Sequence, residues 1–308
     1  MSALIEAHDL TKRFGAVTAL DRLSLAIPEG GVYGILGANG AGKSTFFRLC
    51  LDLIRPSGGS LALLGGTPAM VPVRRRIGAM IETPRYYPTL TASETLTMLA
   101  CASGVRDPDT ASWLGRVGLG EAAHRRVRHF SVGMKQRLGI AAALIARPSL
   151  LILDEPTSGM DPAGILEMRT LIRDLAAKDG VTILLSSHLL DEVQRTCDRV
   201  AIFARGKLVA EGRIDMLLAG QEKLRLLATS QGALLAALGA RGTPDGAPDG
   251  DGVLAAVSRA EAPALLRALI ESGIDLVEAR WVGGELEKFY LEQTSHSAGH
   301  SAGGDHAG

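Results

Sequence analysis

The feature that most constrains this chain is GANGAGKST, the run from Gly37 to Thr45. It follows a short apolar run, Val32–Leu36, and leads into a segment with helical character. Strand, glycine-rich loop and helix in that order make a phosphate cradle. The glycines let the backbone curl until successive N–H groups converge on phosphate oxygens, and the helix adds the positive end of its dipole. Gly37, Asn39, Gly40, Ala41, Gly42 and Thr45 shape that loop. Lys43 supplies a point charge for the β and γ phosphates, and Ser44 offers a hydroxyl to Mg²⁺. A glycine turn with an exposed lysine is the bland reading, and the flanking elements weigh against it.

The second constraint is LLILDEP, Leu150 to Pro156, an apolar run that ends in two carboxylates. A continuous apolar run of this length reads as a strand buried on both faces of a parallel sheet. Ligands of open α/β sheets bind at the carboxyl ends of such strands. Asp154 is therefore expected in the shell of Mg²⁺, and Glu155 is expected to orient and deprotonate an attacking water.

The chain alternates strand-like and helix-like segments, which implies an α/β core with a mainly parallel sheet and a helical insertion at about residues 85–147. Thr91 and Glu94 have capping-box spacing, so a helix is expected from there to about Ser103. Asp161-Pro162 reads as an N-cap with proline in the first turn of a helix ending near Gly180. The first thirty residues read as short strands separated by turns. The first domain is taken as 1–220, a small C-terminal α/β module as 221–293, and the apolar-poor tail 294–308 as disordered.

Lys+Arg and Asp+Glu both number 33, so no global field draws the chain to nucleic acid or anionic lipid. No nucleic-acid partner is expected. Cys50, Cys101 and Cys197 lack metal-ligand spacing, as expected of small hydrophobes in a reducing compartment. Although 46% of residues are hydrophobic, no run is long enough to span a bilayer, and Arg147-Pro148 breaks the most apolar stretch. The first residues carry no secretory pattern, so a cytosolic location is expected.

The segment FSVGMKQRLGIAAALIARPSLLILDEPTSGMDP resembles the signature-to-D-loop region of ABC ATPases. The resemblance implies a P-loop NTPase fold of the ABC ATPase type. It places Ser131 and Gly133 on the signature LSGGQ, while Phe130, Val132 and Met134 depart from it. It also implies that Asp161 is the D-loop aspartate, that His188 contacts the γ-phosphate and that Phe14 stacks on adenine. Each has a plainer alternative: an N-cap for Ser131 and Asp161, an unremarkable histidine, a core phenylalanine. Glu82 stands where the family usually has a glutamine that senses Mg²⁺ and the attacking water. That glutamate, with SVGMKQRLGIA, is similar to the bacitracin- and lantibiotic-resistance branch of ABC exporters, and GELEKFYLEQT resembles the tail module of that branch.

The resemblance implies ATP and Mg²⁺ as cofactors and a homodimer in which each nucleotide lies between the Lys43 loop of one subunit and Ser131–Gly133 of the other. It implies a separate membrane permease, engaged near Glu82, Tyr86 and Tyr87, that exports an antibiotic, peptide or lipid-like compound. Two rivals stay open on the sequence: a soluble ABC ATPase acting on ribosomes or DNA, and a P-loop kinase with its acceptor site in the insertion.

Overall fold

The computed structural model describes residues 3–81, 84–218, 222–239, 247–284 and 286–299. The chain divides into two units, Met1–Arg213 and Ile214–Gly308.

In the first unit, β1 (Ala3–Phe14) and β2 (Val17–Pro28) form a long antiparallel hairpin, and β1 also pairs with β4 (Gly58–Leu63) to give a three-stranded sheet. The short alternating strands expected here are two strands of twelve residues each. Register shifts between Ala7 and Leu10, with Asp9 at φ 46°, interrupt the two-residue alternation. A bulge of this kind hides a long strand from a pattern search.

The second sheet has six strands: β3 (Val32–Leu36), β5 (Ile77–Met80), β6 (Leu150–Asp154), β7 (Thr182–Ser187), β8 (Arg199–Ala204) and β9 (Lys207–Arg213). Their order is β5-β6-β7-β3-β8-β9, and only the β8/β9 pair is antiparallel. β3, β6 and β7 are buried at every residue, as their uninterrupted apolar runs require. The register sets Leu36 against Ser187 and Asp154 against Ser186. Three neighbouring strands thus end together at one edge of the sheet.

Helices α1 (Lys43–Cys50), α2 (Val71–Arg74), α6 (Pro162–Asp179) and α7 (Leu190–Thr196) connect these strands. The insertion contributes α3 (Ala92–Ala102), α4 (Thr110–Arg116), a 3₁₀ turn at Val127–His129 and α5 (Val132–Leu144). One core joins the two sheets through α1. Phe46 and Phe47 are fully buried, and Phe46 meets Phe203 edge-on at 5.8 Å between ring centroids. Each such side chain contributes about 1.5–3 kcal/mol by leaving water. The start of α1, and with it Lys43, is therefore anchored by its own next turn.

The second unit contains α8 (Ile214–Leu217), β10 (Glu222–Ala228), α9 (Gln231–Gly239), β11 (Ala247–Asp249), β12 (Gly252–Ala255), α10 (Ala262–Glu271), β13 (Leu276–Gly283) and α11 (Leu286–Gly299). Its strands form one antiparallel sheet in the order β11-β12-β10-β13, and Leu224, Leu226, Leu234, Val253 and Leu269 form its core. The division after Arg213 falls earlier than the expected boundary at 220. Helix α11 also carries on to Gly299, into the stretch 294–308 expected to be disordered. Once begun, a helix gains a hydrogen bond for each residue added, without needing large apolar side chains. Residues 300–308 lie outside the described residues.

Candidate functional site

The glycine loop leaves β3 at Gly37 and enters α1 at Lys43. Two of its glycines are required by close approach. A Cβ on Gly42, whose φ is 108°, would lie 2.7 Å from the Ala19 carbonyl oxygen, and one on Gly37 would lie 2.4 Å from that of Phe203. The loop closes with Ala41 N–H donating to the Ala38 carbonyl at 3.1 Å, leaving Ala38, Asn39 and Gly40 exposed at its tip. Helix α1 has no side-chain cap and no acidic residue in its first turn. No side chain of the helix itself compensates its positive end, which suits an anion.

Lys43 is 5% exposed. Its Nζ donates to the Gly37 carbonyl at 2.7 Å and the Ala38 carbonyl at 3.4 Å, and lies 3.8 Å from Glu155 Oε1. A buried ammonium held mainly by carbonyls of its own loop is placed to receive phosphate oxygens.

At the end of β6, Asp154 is buried and Glu155 is half-buried. Glu155 sits at φ 51°, a left-handed conformation that is uncommon for a residue with a side chain. One oxygen, Oε2, meets His188 Nδ1 at 2.7 Å, while Oε1 faces Lys43. Beneath them, Ser186 Oγ donates to Asp154 Oδ1 and accepts the Glu155 N–H at 3.1 Å. Lys43, Asp154, Glu155 and His188 thus form one connected group. Ser186, which sequence reasoning missed, ties its two carboxylate residues together.

Ser131 and Gly133 lie elsewhere. Ser131 is the N-cap of α5, its Oγ accepting the Met134 N–H at 3.2 Å. Asp161 is the N-cap of α6, accepting the Gly164 N–H at 2.9 Å. Both line one open groove with Gly133 and Met160. A Cβ on Gly133 would approach Met160 Cε to 2.9 Å, so the α5 and α6 starts are closely packed. The plain capping roles weighed for Ser131 and Asp161 are real, and they leave the groove open. No hydrogen bond or ion pair recorded among the described residues joins this group to the Lys43 group.

Phe14 ends β1 with 47% of its surface exposed, and Lys12 Nζ stands 4.9 Å from its ring centroid. It is not a core residue. Phe14 pairs with Val17 of β2, two residues before Ala19, whose carbonyl abuts the glycine loop at Gly42. Glu82 lies outside the described residues. The two tyrosines expected near the permease contact part company. Tyr87 is 63% exposed, but Tyr86 turns inward and donates its hydroxyl to the Lys135 carbonyl at 3.2 Å, and burial raises its pKa.

An ABC transporter family model matches residues 20–158, from the hairpin through both acidic residues. The bacitracin transport ATP-binding protein BcrA of Bacillus licheniformis is 44% identical over 220 residues, 70% of this chain and 72% of its own length. The chain belongs to the ABC transporter ATP-binding family. The lantibiotic transport ATP-binding protein SrtF of Streptococcus pyogenes is 39% identical, covering 74% of this chain and 97% of SrtF. A solved ATP-binding subunit of an ABC transporter superposes with a TM-score of 0.61 at 32% identity, over 70% of this chain and 91% of that one. The P-loop ATPase fold and the likeness to bacitracin and lantibiotic relatives therefore stand as read. The ABC chain is an ATPase, converting ATP and water to ADP and phosphate. Among its described residues no helix is long and apolar enough to cross a membrane.

Proposed function

We propose that this ABC ATPase is the cytoplasmic engine of an exporter, a homodimer that drives a separate membrane permease for antibiotic, peptide or lipid-like compounds. The bacitracin and lantibiotic transport names of its relatives support the cargo class. The carrying observation is the separation of two half-sites on one chain. The group around Lys43, Asp154, Glu155 and His188 has an exposed loop tip at Ala38–Gly40 and a half-exposed His188, and the groove of Ser131, Gly133 and Asp161 is open. Two copies related by a two-fold axis would close each half-site with the other's groove.

In this reading the glycine loop and Lys43 bind the β and γ phosphates, and Phe14 stacks on the base. Asp154 and the Ser44 hydroxyl are hard oxygen donors that fit Mg²⁺ in company with phosphate oxygens and water, and Glu82 is assigned to the same ion. When bound, the ion supplies positive charge to the transferring phosphoryl group. Glu155 accepts a proton from the attacking water. His188, donating through Nδ1–H, holds one Glu155 oxygen so that the other faces the reaction. The Ser131 hydroxyl and the N–H groups that open α5 stabilise charge on the phosphates from across the dimer.

Glu155→Gln tests the assignment. ATP binding is expected to persist while turnover falls by about 10²–10⁴-fold, the worth of a positioned base, with an ATP-bound dimer accumulating on size exclusion. Turnover within twofold of the native protein would remove Glu155 from that role. For Glu82, Glu82→Gln is expected to raise the Mg²⁺ concentration needed for half-maximal ATPase while basal turnover stays within a few-fold. Superimposable Mg²⁺ curves would detach Glu82 from the ion.

A further inference from the structure

The sheet of the C-terminal unit has two unlike edges. At one, β11 is three residues long and contains Pro248, which has no N–H to donate. Short length and proline are ordinary ways of keeping an edge from pairing with another strand. At the other edge lies β13, eight residues without proline or lysine and longer than any other strand of the sheet. Among the described residues it pairs only with β10, so one row of its backbone N–H and C=O groups has no strand opposite. Val277 on this strand is 66% exposed, and Ala279 is exposed as well.

The sequence of β13 is self-complementary when read antiparallel to itself. With a two-fold axis at Ala279, Glu278 falls opposite Arg280 of the second copy, and Val277 falls opposite Trp281 of the second copy. Both pairings keep residues on matching faces of the sheet. A parallel in-register pairing would instead set Glu278 against Glu278 and Arg280 against Arg280, opposing like charges. Within one chain Arg280 Nε already sits 2.8 Å from Glu278 Oε1, so the two charges form one row along the strand.

We propose that β13 is a dimerisation edge, pairing antiparallel with β13 of a second copy about Ala279 so that the sheet runs continuously through two C-terminal units. The contact is isologous, as a two-fold interface must be. A strand edge alone is smaller than the roughly 1,200–2,000 Å² of a stand-alone interface, so the pairing is weak and concentration-dependent.

The test uses the full chain without nucleotide, so its outcome is separate from any ATP-driven dimer. Cys101, the exposed native thiol, is first replaced by serine. On that background Ala279→Cys is expected to give a disulfide-linked dimer on oxidation, because directly opposed strand residues fall within the roughly 4.4–6.8 Å Cα range of a disulfide. Val277→Cys is expected not to. Its two copies would lie four residues apart along the strands, about 13 Å at some 3.3 Å per residue. Sedimentation gives an independent reading. Glu278→Arg or Arg280→Glu alone should weaken association about tenfold, turning two symmetric attractions into repulsions, and the double swap should restore it. Melting curves verify that each variant is folded, which matters because Glu278 also lies 3.8 Å from Arg225. Cross-linking at neither position or equally at both overturns the proposal, as does a double swap that remains weak. A monomer at every concentration also overturns it, and would leave the edge to a strand from a different protein.

Discussion

Ser186 shows how a residue without chemistry of its own can set a site. Its hydroxyl satisfies a buried carboxylate, Asp154, and receives the backbone N–H of Glu155, which is held in the left-handed region. Ser186→Ala removes both partners at once. The variant is expected to lose about 1–3 kcal/mol of stability in urea unfolding, the usual penalty for stranding a buried polar group, and to lose turnover as Glu155 drifts from its place. Unchanged stability would mean that Asp154 finds another donor. The residues proposed to meet phosphate or water stand out because a short run names each of them: Lys43 after its glycines, Asp154 and Glu155 after an apolar strand. Ser186 was not legible, since its importance arises from the β6/β7 register, which puts it opposite Asp154 and which no local spacing encodes. Phe14 lay between, as its motif position suggested adenine but only its exposure separates a stacking ring from a core one.

At the level of elements, the helices were the most readable, because their ends carry side-chain signals. Thr91 and Glu94 close the expected capping box at the start of α3, with Thr91 N–H donating to Glu94 Oε2 at 2.8 Å and Glu94 N–H donating to Thr91 Oγ1 at 3.2 Å. Asp161, Pro162 and Gly180, the last at φ 67°, bound α6 as anticipated. The hairpin was less readable because bulges broke its alternation, and α11 because helix propagation ignores composition over its last turns. The capping box also gives a pH signature. The Thr91 backbone N–H, aided by its hydroxyl, holds the Glu94 carboxyl below its ordinary pKa. A carboxylate lowered in the folded state stabilises the fold above its unfolded pKa and stops doing so as pH falls through its folded pKa. The stability gap between the native protein and Glu94→Ala should therefore be full at pH 7 and shrink below about pH 4, near the usual carboxylate pKa. Urea midpoints measured across that range would show parallel curves if the carboxylate played no part.

For the whole molecule, the proposed sharing of each site between two chains makes a prediction that single variants cannot. Lys43→Ala damages the phosphate cradle of its own chain, and Ser131→Arg fills the groove that the chain would lend to a partner. Each alone should be nearly inactive, since both composite sites of either homodimer carry the lesion. Mixed together, the two should complement. In a heterodimer the Lys43 loop of the Ser131→Arg chain faces the unaltered Ser131 groove of the Lys43→Ala chain, and one composite site is intact. Random pairing in a two-fold dimer makes about half the dimers mixed, each with one working site of two, so about a quarter of native ATPase is expected if sites work independently. Strict alternation between sites would lower that figure, but any clear gain over both parents requires that catalytic groups be shared between chains. A site complete within one subunit predicts instead that the mixture equals the mean of its inactive components at every ratio. Titrating one variant into the other while following phosphate release separates the two outcomes: a maximum near equal amounts supports the shared site, and a straight line rejects it.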